Sequence, residues 1–291
     1  MRAVTTVLAV DVGGTKMATA RVDAAGHLTA RQEVTTPRGA GAEELWRVLE
    51  GAIGDALRAG PVDACGCGCG GPMAPGGERV SPLNIPGWRG FPLRARLAAA
   101  TGARAFVDND AKALALGEGW RGAARGERNY IGMVVSTGVG GGIVLDGRLL
   151  DGAAGNAGHI GHVIVVPDGD RCACGARGCL EAVASGPSIE RRTGAPASLA
   201  GDAVRAETGR YVGRAVADVA NLLDLRLAVV GGSVALGFGA VFFTAALAEL
   251  DACARLEFSR GARVVPAGLG ADGPLMGAAA VAFRTLGVAL A

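Results

Sequence analysis

What most constrains this chain is an apolar run that ends in an acid and two glycines, and the return of the same theme further on. Val7 to Val12 reads as a buried strand, Gly13-Gly14 as a turn, and Lys16 to Val22 as the strand coming back. Tyr130 to Val135 is a second apolar strand, Ser136 to Gly142 a second glycine-rich turn, and Ile143 to Leu150 its returning strand. An apolar strand, a turn without bulky side chains and a second strand form the pattern of a hairpin. A chain that opens twice in this way is expected to hold two lobes of similar build, facing each other across a cleft.

The stretches between follow an α/β order. Leu28 to Thr35 completes a three-strand meander. Glu43 to Leu57 carries Leu45, Val48, Leu49, Ile53, Ala56 and Leu57 at helical spacing. Strands are expected at Asp63 to Gly70 and Ala103 to Val107, and helices at Leu93 to Ala100 and from Asn109 through Gly117. Leu180 to Arg192 and Val204 to Leu223 read as helices, and Leu227 to Val230 as a buried strand. A last helix runs from Pro274 to about Leu286, with proline in its first turn where the missing N–H costs nothing.

Glycine is the compositional outlier, with 49 residues against a usual share of about 7%. Its copies gather at strand ends, where backbone can come close to a ligand. In Asp11-Val12-Gly13-Gly14-Thr15-Lys16 the acid closes a buried strand, a costly position unless a cation offsets it, and a hydrated Mg²⁺ would do so. Gly13 and Gly14 let backbone amides approach a phosphate, while Thr15 and Lys16 add a hydroxyl and a charge. The alternative is a tight hairpin in which Asp11 only bonds turn amides. The second turn, with Thr137 and Gly138, repeats the hydroxyl-plus-glycine chemistry. Gly231-Gly232-Ser233 ends a strand ahead of a helix and could accept a flat adenine or a phosphate. Each turn is weak alone; the three in this order fit a clamp on one nucleotide.

His162, Cys172, Cys174 and Cys179 make a second constellation. One imidazole and three thiolates complete a closed tetrahedral set, and Cys-x-Cys-x₄-Cys lets one loop deliver three ligands, so a structural Zn²⁺ is expected. Asp168 and Asp170 in the same loop read as solvated. Cys65, Cys67 and Cys69 alternate at strand spacing between glycines and read as small buried thiols, and Cys253 as a core residue of a helix. Seven cysteines in a chain expected to be cytoplasmic argue for thiols or metal ligands over disulfides.

The 29 basic and 27 acidic residues leave a net charge of +2, which predicts no nucleic-acid surface. The apolar run from Val4 to Val10 lacks the flanks of a signal peptide, and no stretch is read as approaching the roughly 20 apolar residues of a membrane span. No membrane partner and a cytoplasmic location are expected.

Leu8 to Lys16, Asn109-Asp110-Ala111, Ser136 to Gly142 and the cysteine cluster together resemble the ROK family of bacterial sugar kinases, over essentially the whole chain. Within it the chain is similar to glucokinases and N-acetylmannosamine kinases. The resemblance implies an actin-like (RNase H-like) α/β ATPase fold, with ATP and Mg²⁺ in a cleft between two lobes. These would be residues 1–113, joined by a C-terminal helix at 276–291, and residues 114–275, carrying a zinc loop at 159–181. Locally, Asn109-Asp110 reads as an N-cap pair; the resemblance makes Asp110 the catalytic base. It also implies that Asn109, Asp110, His159, His162 and Glu181 bind sugar hydroxyls, with Asn84 on the other side of the pocket. Two residues depart from the family pattern: His159 stands where a Glu is usual, and Lys112 where many members have Asn. The expectation is an ATP-dependent hexose kinase, homodimeric, acting on the 6-hydroxyl of glucose or N-acetylmannosamine. The rivals are a sugar-binding regulator, which would need a DNA-binding segment ahead of Asp11, a non-catalytic member, or polyphosphate as donor.

Overall fold

The computed structural model describes residues 5–288; the outermost parts of the expected ranges, at 1–4 and 289–291, lie outside them. Ten strands and eight α-helices are seen among these residues, divided between two compact units. The first unit runs up to Arg125 and adds Asp151–Ala157 and the chain from Leu269 onward; the second takes Gly126–Leu150 and Gly158–Gly268. Beside the expected 1–113 plus 276–291, the first unit also holds 114–125, 151–157 and 269–275; α-helical residues after 113 stay with it because their helix packs along the C-terminal one.

The sheet of the first unit is built from β1 (Thr6–Val12), β2 (Lys16–Asp23), β3 (Leu28–Thr35), β4 (Ala64–Cys69) and β5 (Arg104–Asn109), in the order β3-β2-β1-β4-β5. β1, β2 and β3 are antiparallel neighbours, and β1, β4 and β5 run parallel. On one face Leu8, Val10, Val12 and Met17 meet α1 (Ala42–Leu57) through Leu45, Trp46, Leu49 and Ile53. α2 (Leu93–Thr101) joins the same core through Leu93 and Leu97. Cys65, Cys67 and Cys69 belong to this core and are fully buried thiols, as their alternation predicts. Desolvation pushes the Cys65 thiol up to about 12, so it stays protonated.

The other face of β4 has no side chains at Gly66 and Gly68, and α8 (Gly273–Thr285) lies against it. A Cβ on Gly66 would fall 2.0 Å from the Ala278 carbonyl oxygen, so the helix sits on bare backbone. Gly66→Ala is expected to cost about 3 kcal/mol, the upper range for overpacking. Gly51, in α1 with open space around its Cα, is the control. There alanine should be neutral or stabilising by up to ~1 kcal/mol. Urea melts of the two variants measure this, and equal midpoints would contradict the packing described.

The second unit repeats the scheme with β6 (Tyr130–Val135), β7 (Val139–Leu145), β8 (Arg148–Leu149), β9 (Leu227–Gly231) and β10 (Arg263–Pro266). Its order, β10-β9-β6-β7-β8, matches the first sheet strand for strand, with the same antiparallel and parallel pairs. α6 (Asp202–Leu223) and α7 (Ser233–Cys253) cover it with Val212, Val216, Phe238, Phe242 and Leu250. α7 is long and apolar enough to cross a membrane. This differs from the sequence expectation, in which the glycines of its first half hid the length of the apolar stretch. Its inner residues serve the core of this unit.

Several boundaries differ from expectation. β7 begins at Val139, so Gly140 to Gly142 pair with β6 and only Ser136 to Gly138 form the turn. The expected helix from Leu180 to Arg192 is two, α4 (Leu180–Ala184) and α5 (Gly186–Thr193). Pro187 cannot continue the first helix, and Ser185 turns extended to cap the second. Cys253 ends α7 but is exposed, not core, because that helix buries Leu250 and Ala246 instead. β10 escaped notice because Arg263 and Pro266 bracket only two apolar residues.

Candidate active site

Because β1, β4 and β5 run parallel, their carboxyl ends share one edge, where ligands of α/β sheets gather. The register aligns Asp11, Gly68 and Asp108 across the three strands, with Asn109 and Asp110 immediately following. Gly68 leaves the space between the acids open: a Cβ there would lie 3.6 Å from Asp110 Cα and 3.9 Å from Asp11 Oδ1. Burial first, then the neighbouring Asp110 charge, pushes the Asp11 carboxyl up to about 7, against a smaller opposing pull from Lys16.

That shift has a sign. The folded-state value lies above the ordinary 3.8, so ionising Asp11 costs the fold. The stability it withholds is present at acid pH and lost as pH rises through about 7. Without divalent metal, the Tm should therefore fall by a few kelvin between about pH 5.5 and about pH 8, on either side of that titration. Asp11→Asn should flatten that component, and Mg²⁺ should restore the loss in the native chain only. Parallel pH–Tm profiles for native chain and variant would refute the assignment.

Around Asp11 the first turn is fastened by its own backbone. Gly13 N–H donates to the Lys16 carbonyl at 3.0 Å, Thr36 Oγ1 donates to the Gly13 carbonyl at 2.7 Å, and Thr36 N–H donates to the Thr15 carbonyl at 3.0 Å. Asn84 lies over Gly14, where a Cβ would meet its side chain at 3.0 Å. Lys16 is exposed and its Nζ pairs with Glu33 at 3.0 Å. The first unit thus brings together Asp11, Gly13, Gly14, Asn84, Asn109 and Asp110, with Thr15 and Lys16 on the rim.

The local reading of Asn109-Asp110 as a cap holds for the first residue. Asn109 is the N-cap of α3 (Asp110–Arg121), accepting from Ala111 N–H at 3.0 Å, and Asp110 opens the first turn. Asp110 Oδ1 also accepts from Ala111 N–H, at 2.8 Å. A carboxylate at this position sits at the positive end of the helix, which favours its ionised form.

The second unit gathers the other candidates. Ser136 and Ser233 hydroxyls meet at 2.9 Å, joining the β6–β7 turn to the N-terminus of α7. Gly231 ends β9, and Gly232, at φ 94°, turns the chain into the helix beneath Val135. Thr137 is exposed at the tip of the turn. Glu181, in the first turn of α4, accepts the Val139 N–H at 2.9 Å, and a Cβ on Gly138 would touch its carboxylate at 2.9 Å. The loop carrying His159 and His162 lies on β7, with Gly158 against Gly141 and Gly161 against Val139. The two imidazoles stack with centroids 6.0 Å apart.

The expected metal ligands converge. One donor atom from each of His162, Cys172, Cys174 and Cys179 lies within 4.8 Å of the others. Cys172 Sγ is 3.7 Å from His162 Nδ1, and Cys174 Sγ is 3.7 Å from Cys179 Sγ. Bonds of 2.0–2.3 Å to a tetrahedral Zn²⁺ require edges of about 3.6–3.8 Å, so the donor set fits that ion. The thiols are free. A tight loop holds them: Cys172 N–H donates to Ala176 O at 2.8 Å, and Gly175 N–H to Cys172 O at 3.0 Å. Asp168 and Asp170 are exposed, as expected.

Two further residues belong here. Ser136 reads from the sequence only as part of a turn, and Thr36, a lone threonine after a strand, carries no signal until its partner is known.

Two sheets of β3-β2-β1-β4-β5 type, the first bearing acids at the ends of its parallel strands and both followed by glycine turns, define an actin-like ATPase fold. A family model described as "ROK family" matches residues 7–285, and the chain belongs to that family. It is 37% identical over 252 residues to an N-acetylmannosamine kinase of Citrobacter koseri, covering 80% of this chain and 84% of that one. Among solved structures it resembles a ROK hexokinase from Thermus thermophilus, with a TM-score of 0.86 and 35% identity over 98% of this chain and all of the other. A ROK glucokinase from Streptomyces griseus, solved with glucose and AMPPNP, matches with a TM-score of 0.82 and 31% identity, over 94% of this chain and 98% of that one.

Proposed function

We propose that this protein is an ATP-dependent sugar kinase that phosphorylates the 6-hydroxyl of glucose or N-acetylmannosamine. The observation that carries the reading is Asp110: a carboxylate at the start of α3, beside its capping Asn109, on the same sheet edge as Asp11 and the Gly13-Gly14 turn. Relatives that are sugar kinases at 31–37% identity support the class.

In this reading Asp110 accepts the proton of the sugar hydroxyl as its oxygen attacks the γ-phosphorus. A bond to phosphorus forms, the bond to the bridging oxygen breaks, and ADP leaves. Little covalent work falls to the protein; positioning and charge carry the step. Asp11 would hold Mg²⁺, directly or through water, which supplies positive charge against the phosphates. Amides of the 13–14 and 137–138 turns and of Gly231 to Ser233 would cradle ATP, with the Thr15 and Thr137 hydroxyls and the Lys16 charge beside them. Asn84, Asn109, His159, His162 and Glu181 would bind the hexose, with Glu181 giving its second oxygen while the first stays on Val139 N–H. Zn²⁺ in the His162–Cys172–Cys174–Cys179 set would stiffen the loop next to His159. A homodimer in the cytoplasm, with no nucleic-acid or membrane partner, completes the proposal.

The test is ADP release with ATP·Mg²⁺ against glucose, mannose, fructose, N-acetylglucosamine and N-acetylmannosamine. Turnover with glucose or N-acetylmannosamine well above the others supports the reading. Silence on the whole panel, with the chain folded and zinc bound, overturns it in favour of a sugar-binding or non-catalytic role.

A further inference from the structure

Lys112 lies in the first turn of α3, two residues beyond Asp110, and is 2% exposed. A cation there is doubly disfavoured: it has left water, and it sits at the positive end of a helix. A solvated alternative is easy for a lysine on a flexible stem, so its burial calls for specific partners. Three oxygens supply them. Nζ lies 3.2 Å from Asp108 Oδ1, 2.9 Å from Asp151 Oδ1 and 3.2 Å from the Gly155 carbonyl. An ammonium has three protons, and each has an acceptor, so none remains for a substrate phosphate or hydroxyl.

The partners fall on two parts of the first unit. Asp108 is the residue before Asn109-Asp110, and the same Oδ1 accepts the Asn109 N–H at 2.8 Å. Asp151 and Gly155 belong to the segment Asp151–Ala157, which is closed on itself by Ala157 N–H donating to the Asp151 carbonyl at 3.0 Å. Arg284 of α8 adds a longer pairing to the other Asp151 oxygen at 3.8 Å. The segment is otherwise solvent-exposed at Gly152 to Ala154 and Asn156, and it runs straight into Gly158-His159. One buried charge therefore fastens both the strand end that presents Asp110 and the chain that leads to His159.

We propose that Lys112 is a positioning residue for the sugar site: its ammonium docks the 151–157 segment onto α3, and so holds both the strand end that presents Asp110 and the chain just ahead of Gly158-His159. It does not touch substrate. The inference rests on the sugar-kinase reading for its kinetic consequence, but the docking can be tested without turnover.

Two variants cut the link from opposite ends. Lys112→Met removes the charge and keeps the stem. Asp151→Asn changes a largely exposed partner and spares the fold should the buried substitution fail. Hydrogen–deuterium exchange of 151–157 should quicken in both by about tenfold, the scale of losing a charge-assisted hydrogen bond. The KM for sugar should rise by a similar factor, with the KM for ATP unchanged and kcat within about threefold. The double variant should be no worse than Lys112→Met alone, since that change already removes the Lys112–Asp151 pair that Asp151→Asn weakens. Unchanged exchange of the segment in Asp151→Asn would overturn the docking, and faster exchange with an unchanged sugar KM would overturn its role in the sugar site. If no sugar is turned over by the native chain, the sugar-kinase reading has failed, and the exchange data alone decide whether Lys112 holds the segment.

Discussion

Asp110→Asn is expected to lower kcat about 10³-fold, within the span attributed to a positioned general base, while the affinity for sugar measured by calorimetry stays within a few-fold of native. The substitution is nearly isosteric, and its amide oxygen can still accept the Ala111 N–H that Asp110 Oδ1 now accepts at 2.8 Å. Asn109, not Asp110, caps α3, so the helix start survives. What is lost is the capacity to take a proton. An effect confined to kcat separates a base from a sugar ligand, whose loss would appear in binding. Turnover within about tenfold of native would remove Asp110 from the role.

Cys174→Ser should release most of the bound zinc and raise the KM for sugar by about tenfold or more, since loss of one ligand from a closed four-ligand set leaves no substitute. Cys174 is the informative choice because it is exposed, whereas Cys172 and Cys179 are buried and would confound metal loss with packing. The loop between Arg171 and Arg177 has few apolar residues to hold it, so its order depends on the ligand bonds. Metal analysis of purified native chain should give one zinc per chain. A variant that keeps that stoichiometry would end the assignment, and a zinc-free variant with native sugar KM would detach the cluster from the sugar loop.

Much of this arrangement could be read from the chain because the relevant forces are local. The hairpin at 11–16 is written in an apolar run, two glycines and a second apolar run, and the structure pairs Val12 with Met17 across it. The cysteine set is readable for the same reason: Cys-x-Cys-x₄-Cys can close on one ion within one loop. The alternation of Cys65, Cys67 and Cys69 with glycine correctly placed the thiols on one buried face. The resemblance to a family supplied what spacing could not, the roles proposed for Asp110 and Glu181.

The departures from expectation have the same physical origin. Glycines in Ser136 to Gly142 suggested a long turn, yet Gly140 to Gly142 lie inside β7, where the loop before His159 presses on the strand. Glycine marks close approach as well as turning, and sequence does not distinguish the two. The α4–α5 break needed the extended backbone of Ser185, which a helical apolar pattern conceals.

The sequence by itself determined most of the strands, the hairpin at 11–16, the His162–Cys172–Cys174–Cys179 set and the duplicated opening, because periodicity, turn chemistry and ligand spacing act over a few residues. Only the tertiary structure decided that Asn84 lies over Gly14, that Ser136 meets Ser233, that Glu181 supports the 137–139 backbone, and that Lys112 is a buried link to Asp151 instead of a surface lysine. These neighbours lie far apart along the chain, 39 residues for Lys112 and Asp151 and 97 for Ser136 and Ser233, so no local pattern records which residues will meet.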